Sequence, residues 1–485
     1  MNLGRSTLYN LLGAAVPLLV SIVTVPRYLH VIGVDRYGVL SIAWLLLGYF
    51  GLFDLGLGRA TSFRIAALRD ASPQARADTF VAALSVNAVV GCAGGAALWA
   101  AAYVFFRYMF KVDNALRPEI IASVPYLAAS LPVATLTGVV TGALQGREKF
   151  FATNAVSIIS TPFLQLLPLL TAIMTGPNLP LQIASALLVR IVTFLALAIL
   201  CHLEIGKGQA RRLARGEVPL LMKYGGWVTL TSIFGPVLVL ADRFAIGAVL
   251  GAAAVATYTV AYQLVKQTAM LPSALTNALF PRLSAASPTQ RSQLGEKATR
   301  ALSSLMTLPV LFGIFLVDPF LRAWIGPALA EQASPVSRAL LVGFWANAFA
   351  LVPFSTLQAA GRPDLVTKVL IGEIPPHLIS LFPAMRWFGA LGAAWAVTAR
   401  FIADYVLLAF VADRNFRGWR VLAINFVILC LAIWQTSIWK FDEPVWWVAA
   451  SILTFAALVA AWLAAPGELR ELLDRITRRY LPRPT

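Results

Sequence analysis

Apolar residues in this chain come in long runs with no alternation. Fourteen runs stand out, at about 8–29, 37–58, 80–106, 120–144, 151–174, 181–203, 224–246, 253–279, 301–321, 337–359, 366–385, 388–412, 421–439 and 445–465. A helix rises about 1.5 Å per residue, so roughly 20 apolar residues cross a bilayer core of about 30 Å. Barrel strands would instead alternate polar and apolar residues over about 10 positions. Inside lipid only helices and closed barrels satisfy their own backbone. The pattern therefore predicts an all-α polytopic membrane protein with about 14 transmembrane helices. Twelve remain if two neighbouring runs do not cross. The run at 301–321 meets Asp318 and Pro319, and the run at 366–385 carries Glu373, Pro375, Pro376 and His377. Proline removes a helix donor and clashes with the preceding turn, so a break is expected between Glu373 and His377.

Composition agrees with the pattern. The 485 residues are 59% hydrophobic and 13% charged, against roughly 45–50% and 25% in soluble domains. The net charge of +17 would suggest nucleic acid in a soluble protein. Here it has another reading, because inner-membrane proteins keep Lys and Arg on cytoplasmic loops. With the N-terminus inside, 25 of the 39 basic residues fall in inside segments, 7 outside and 7 within the spans. Both termini are therefore expected in the cytoplasm, and no nucleic-acid partner is expected. Arg5 ahead of an apolar run mimics a signal peptide, but no small-residue cleavage site follows, so a retained first helix is expected.

The loops are short. The longest inside ones are 59–79, 204–223 and 281–300, and none houses soluble catalysis. Cys92, Cys201 and Cys430 stand alone in apolar runs, without metal spacing or a disulfide framework. No nucleotide loop, metal cluster or nucleophile constellation appears, so no enzyme, cofactor or metal is expected. The C-terminal stretch sets Leu469, Leu472, Leu473, Ile476 and Tyr480 on one helical face, with Arg470, Arg475, Arg478 and Arg479 around it. That suits an amphipathic helix on an anionic leaflet or a solvated basic tail.

A faint internal echo links PRYLHVIGVDRYGVL, after the first run, to DRFAIGAVLGAAAVATY, at the end of the seventh. Transporters are often built from two similar lobes. The expected organisation is an N-lobe at 1–205, a basic cytoplasmic linker at 206–222 and a C-lobe at 223–412. Two further spans follow at 413–465, then a basic tail at 466–485.

Several stretches carry a resemblance. These are Pro26, the turn from Gly33 to Tyr37-Gly38, Asp54-Leu55-Gly56-Leu57 before Arg59, GALQGREKF, LADRFAIGAVLG, and YTVAYQL at Tyr258–Leu264. In order and spacing the chain resembles the polysaccharide flippases of the multidrug/oligosaccharidyl-lipid/polysaccharide (MOP) exporter superfamily. The resemblance implies a two-lobed inner-membrane transporter. Its cargo would be a polyprenyl-diphosphate-linked oligosaccharide, carried from the cytoplasmic to the outer leaflet by ion-driven alternating access. It also implies a place in cell-surface polysaccharide biosynthesis, beside a polymerase and chain-length machinery.

Charges inside the spans are then the candidates. A charge at bilayer centre costs at least about 2.5–3.5 kcal/mol, so it faces a bundle interior or a cavity. A diphosphate cargo wants arginines, whose planar fork matches phosphate oxygens. The candidates are Arg59, Arg64, Arg190, Arg243, Lys266 and Arg400. The positive-inside rule equally explains Arg59 and Arg64. Asp242 and Arg243, about 100° apart on a helix, are expected to face a neighbouring helix and the cavity; a pair locking two helices is the alternative. Arg400 and Asp404, four apart, share a face and are expected to neutralise each other. Asp54, Asp242, Glu373, His377 and Asp404 are the candidates for coupling to a proton or cation. A drug or organic-cation exporter of the same superfamily is the first alternative. A cation site would want acidic lining, and here basic groups at least equal the acids. A membrane polysaccharide polymerase or ligase would want a larger outer loop than 107–119 or 322–336.

Overall fold

A computed structural model describes residues 3–49, 56–68, 70–206, 234–412, 419–465 and 467. Asp54, nearly all of the expected linker at 206–222 and the tail at 466–485 lie outside them. The described residues fold as helices: α1 (Leu3–Tyr49), α2 (Leu57–Ala67), α3 (Pro73–Val104), α4 (Arg117–Gly146), α5 (Phe150–Thr175) and α6 (Leu179–Cys201). They continue as α7 (Phe234–Val249), α8 (Ala252–Lys266), α9 (Met270–Ala285), α10 (Pro288–Ile325), α11 (Pro327–Ala359), α12 (Pro363–Ala412), α13 (Trp419–Ile438) and α14 (Pro444–Ala464). Nine helices among the described residues are long and apolar enough to cross a membrane. Large apolar side chains such as Phe151, Met174, Trp387 and Phe455 stand exposed on them, as lipid-facing residues do. The chain is a multi-pass integral membrane protein.

Local chemistry sets the helix ends. Ser72, Asn178 and Ser287 cap α3, α6 and α10, each accepting a hydrogen bond from a backbone N–H three residues on, with a proline in the first turn. Such caps satisfy donors that the first turn leaves orphaned. Two helices are broken by glycine. Gly33 interrupts α1 at φ 81° and Gly389 interrupts α12 at φ 58°, a region that side chains disfavour. The break expected at Pro375 and Pro376 does not occur, because α12 continues helically through both. In a packed membrane helix, neighbours tolerate the lost donor. The chain turns at Gly389, beside the boundary expected between the runs 366–385 and 388–412, and a Cβ on the nearby Gly392 would collide with the Ala384 carbonyl. α12 is thus a hairpin of two antiparallel limbs.

Two compact units result, 1–256 and 257–485. In the first, α4 is the axis, packed by α2, α3 and α6 around Ile65, Ala77, Val140, Leu144, Leu197 and Cys201. Arg36 pairs with Glu119 at 3.0 Å, and the same carboxylate accepts from the Leu179 N–H at 2.7 Å. That acid ties α1, α4 and the start of α6 together. Gln165 on α5 accepts from Ser21 and Thr24 of α1. α7 belongs here by contact: Gly247 packs on Phe110, and the Lys111 ammonium donates to the Val249 carbonyl at 2.6 Å.

In the second unit α11 is the buried axis, flanked by α10 and α12. Trp345 donates to Thr307 and Thr398 donates to the Ala339 carbonyl. α13 and α14 pack chiefly on α10, held by Asn425 to Ser303 at 2.7 Å and Ser304 to the Ala461 carbonyl at 2.8 Å.

Candidate functional site

Glycines on α4 build the first site. Gly138, Gly142 and Gly146 recur every four residues, the spacing that lets membrane helices approach closely. A Cβ on Gly142 would run into the Gly58 carbonyl of α2, and one on Gly146 would meet the Ser62 carbonyl at 2.7 Å. α2 therefore lies against α4 backbone to backbone, and its first turn, with Arg59, is held beside the α4 face. That face continues with Ala134, Thr137 and Thr141 to Gln145, a helical stripe along one side. Leu47 and Gly48 of α1 and Arg190 of α6 complete the wall.

The wall bounds an open cavity of about 400 Å³. Two guanidinium groups, Arg59 and Arg190, line it, and no carboxylate does among the described residues. Arg190 is anchored by one hydrogen bond, from Nη2 to the Leu47 carbonyl at 2.6 Å. Its buried Nε has no acceptor. A buried guanidinium N–H without a partner costs free energy, and an anion entering the cavity would supply one. The start of α2 adds N–H groups of the kind that favour anions. Two arginines that stand 131 positions apart in the chain thus converge on one anion-accepting wall. Thr137, Thr141 and Gln145 escaped the residue-by-residue reading. The glycine repeat beside them was the visible signal.

The α12 hairpin builds the second site. Glu373 lies 16 residues before Gly389 and Asp404 lies 15 after it, so folding at that glycine brings them level. Val366, Val369 and Leu370 of one limb pack in one apolar cluster with Tyr405 and Leu408 of the other, so the two acids lie level on facing limbs, with Arg400 one turn before Asp404. Both acids are buried, at 3% and 8% exposure. The expected ion pair between Arg400 and Asp404 is absent. The Arg400 guanidinium carbon sits 4.8 Å from the Phe401 ring centroid, while Asp404 turns to the opposite limb. His377 is buried one turn beyond Glu373 on the unbroken limb.

The remaining candidates do not join either cluster. Arg64 lies in the last turn of α2, beyond the cavity lining. Asp242 and Arg243 are both buried within α7, and Arg243 donates back to the Val239 carbonyl at 3.1 Å. Lys266 is exposed where α8 gives way to a short 3₁₀ turn, Gln267–Ala269.

A family model described as polysaccharide biosynthesis protein matches residues 3–287. The chain belongs to this polysaccharide biosynthesis family. One relative, named "Putative O-antigen transporter" and from Shigella flexneri, is 28% identical over 415 residues, spanning 85% of this chain and 98% of its own length. Among solved structures, the lipid II flippase MurJ in an inward closed conformation superposes with a TM-score of 0.73 at 13% identity, over 96% of this chain and 100% of its own. An inward-facing multidrug resistance MATE family transporter of the MOP superfamily gives 0.65 at 14% identity, over 87% and 99%. The family member described here therefore has the MurJ and MATE fold. Arg59 and Arg190 lie within the matched residues, and the Glu373–Asp404 pair lies beyond them.

Proposed function

We propose that the protein is a flippase, not an enzyme, moving a polyprenyl-diphosphate-linked oligosaccharide from the cytoplasmic to the outer leaflet of the inner membrane. The Arg59–Arg190 cavity carries the reading. Two arginines on a wall without acids among its described residues suit a diphosphate and oppose an organic cation. Each arginine fork presents several donors, and the threonines and Gln145 offer further ones to phosphate or sugar. The family and the relative named as an O-antigen transporter support a role in supplying surface polysaccharide. The chain crosses fourteen times with both ends inside. α1 and α12 each cross twice about their glycines, and α2 completes the second crossing. Alternating access of two lobes is driven by an ion taken up at buried carboxylates, with polymerase and chain-length machinery as downstream partners.

The test is mass spectrometry of polyprenyl-linked oligosaccharides in a strain lacking the gene. Accumulation of a lipid-linked repeat unit, cleared by the wild-type gene and not by Arg59→Ala/Arg190→Ala, supports the reading. An unchanged lipid pool with raised drug susceptibility would mark an exporter instead.

A further inference from the structure

The carboxyl pair in the α12 hairpin poses a physical problem that a proton solves. Glu373 is buried on one limb, with neither carboxyl oxygen accepting a hydrogen bond. Asp404 is buried on the other limb, and its Oδ1 also lacks a donor. Three buried carboxyl oxygens thus lack a donor. Two like charges level with each other on packed limbs of a membrane-embedded bundle are strongly disfavoured, and so are unsatisfied buried oxygens.

The surroundings offer little else. Arg400, one turn before Asp404, is the charged neighbour. His377 and Tyr405 are the other titratable groups nearby on α12, one turn and one residue away. α11 is the helix packed against this hairpin. At this level it presents Gly343 and Phe344 to Thr398 and Phe401, and Phe349 to Tyr405. The charged residues of α11, Glu331 and Arg338, stand near its start.

We propose that Glu373 and Asp404 together hold one exchangeable proton, and that this pair is the coupling site of the transporter. The inference rests on the flippase reading for its purpose and deepens it by naming the ion. With one proton shared, one carboxyl donates to the other, which gives a partner to two of the three orphaned oxygens. Arg400 then leaves the cluster neutral. Loss of the proton leaves two facing carboxylates against a single guanidinium, on opposite limbs of a hairpin hinged at Gly389. Repulsion between them loads the limbs apart, so the proton's presence is read as a change in the hairpin. Arg400 also opposes a metal cation, which would bring a second positive charge into the same few ångströms. The proton belongs to the pair and not to either residue.

The measurement is infrared difference spectroscopy of the full-length protein in liposomes, followed through the carbonyl stretch of protonated carboxyl groups. Wild type should show a band at neutral pH that Glu373→Gln and Asp404→Asn each remove. In either variant the remaining acid faces Arg400 alone and stays ionised. Arg400→Gln should roughly double the band, because the pair without its counter-charge takes a second proton. Spectra identical between wild type and both acid variants would overturn the proposal. So would a band abolished by sodium at constant pH, since that marks a cation site. The band is read without transport, which separates the two readings. If it is absent while the wild-type gene clears the lipid-linked intermediate, the proton site falls and the flippase stands. A band present with no intermediate accumulating in the deletion strain sinks the flippase reading and leaves the site.

Discussion

The two polar sites differ in sign, in access and in how the backbone makes them. The cavity in the first unit is cationic and open to a volume of about 400 Å³. It is assembled from four helices, with glycines letting α2 touch α4. The cluster in the second unit carries two acids and one base, is closed, and is made by a single helix folded on itself. An open cationic wall suits a large anion that must enter and leave. A closed acidic pair suits a ligand with no size, and a proton is the one that fits. On the proposed assignments, the difference separates a place for cargo from a place for the driving ion, and each assignment fails in its own way.

The largest effect expected is on the cationic side. Each arginine removed forfeits charge-assisted hydrogen bonds worth about 1.5–3 kcal/mol, and each 1.4 kcal/mol or so is tenfold in affinity. Arg59→Ala or Arg190→Ala should each weaken retention of a polyprenyl diphosphate by about 10- to 100-fold, and the double variant should approach complete loss. Native mass spectrometry of the purified protein with that lipid reads the effect. Glu373→Gln should leave retention nearly unchanged. Equal loss in both variants would break the comparison, because the two sites would then act as one.

A smaller effect sharpens the role of geometry over charge. Arg190→Lys keeps the cation and loses the fork, while the shorter donor set leaves the Leu47 carbonyl contested. Retention should fall by about three- to tenfold, midway between wild type and Arg190→Ala. Wild-type retention in Arg190→Lys would mean that charge alone is read, with no bidentate recognition of phosphate.

Some of this was legible in the sequence and some was not. Arg190 stands out because a guanidinium in an apolar run is costly wherever it points, whereas Arg59 closes its run, where the positive-inside rule explains it equally. Their convergence depends on α4 lying between α2 and α6, which no local pattern encodes. Residues 138, 142 and 146 show the close-approach spacing, yet nothing in it says which helix comes near. The hairpin inverted a local inference. Pro375 and Pro376 looked like a break and are not one, because a packed helix absorbs a missing donor, while the turn at Gly389 lies beside the boundary that the runs 366–385 and 388–412 already marked. Four-residue spacing likewise pointed Asp404 at Arg400. The fold turned it to Glu373, 31 positions away, a contact that exists only once the chain reverses.

Packing in the two units can be compared through their tightest glycines. Gly142→Val would drive a side chain into the Gly58 carbonyl, and Gly392→Val into the Ala384 carbonyl. Neither backbone atom yields as a flexible side chain would, so overpacking of about 1–3 kcal/mol is expected at each. That corresponds to several degrees of melting temperature in detergent. The units should nevertheless part in function. Gly142→Val displaces Arg59 and should lower lipid retention, whereas Gly392→Val disturbs the α12 turn and should spare it. Loss of retention in both would show that the cavity depends on the hairpin.

The smallest effects come from glycines with room around them. Nothing lies within 4 Å of a Cβ built on Gly389 or on Gly372, so sterics with neighbours do not distinguish them. Backbone conformation does. Gly389 sits at φ 58° and ψ −140°, where a side chain costs on the order of 1–3 kcal/mol. Gly372 lies in the helical interior of the first limb of α12, where alanine is better than glycine by roughly 0.5–1 kcal/mol. Gly389→Ala should therefore lower the melting temperature of the detergent-solubilised protein, and Gly372→Ala should raise it slightly. Opposite signs at two equally uncrowded positions would locate the hinge of the hairpin in the backbone of one residue. Equal signs would move the turn elsewhere, and with it the reason Glu373 meets Asp404.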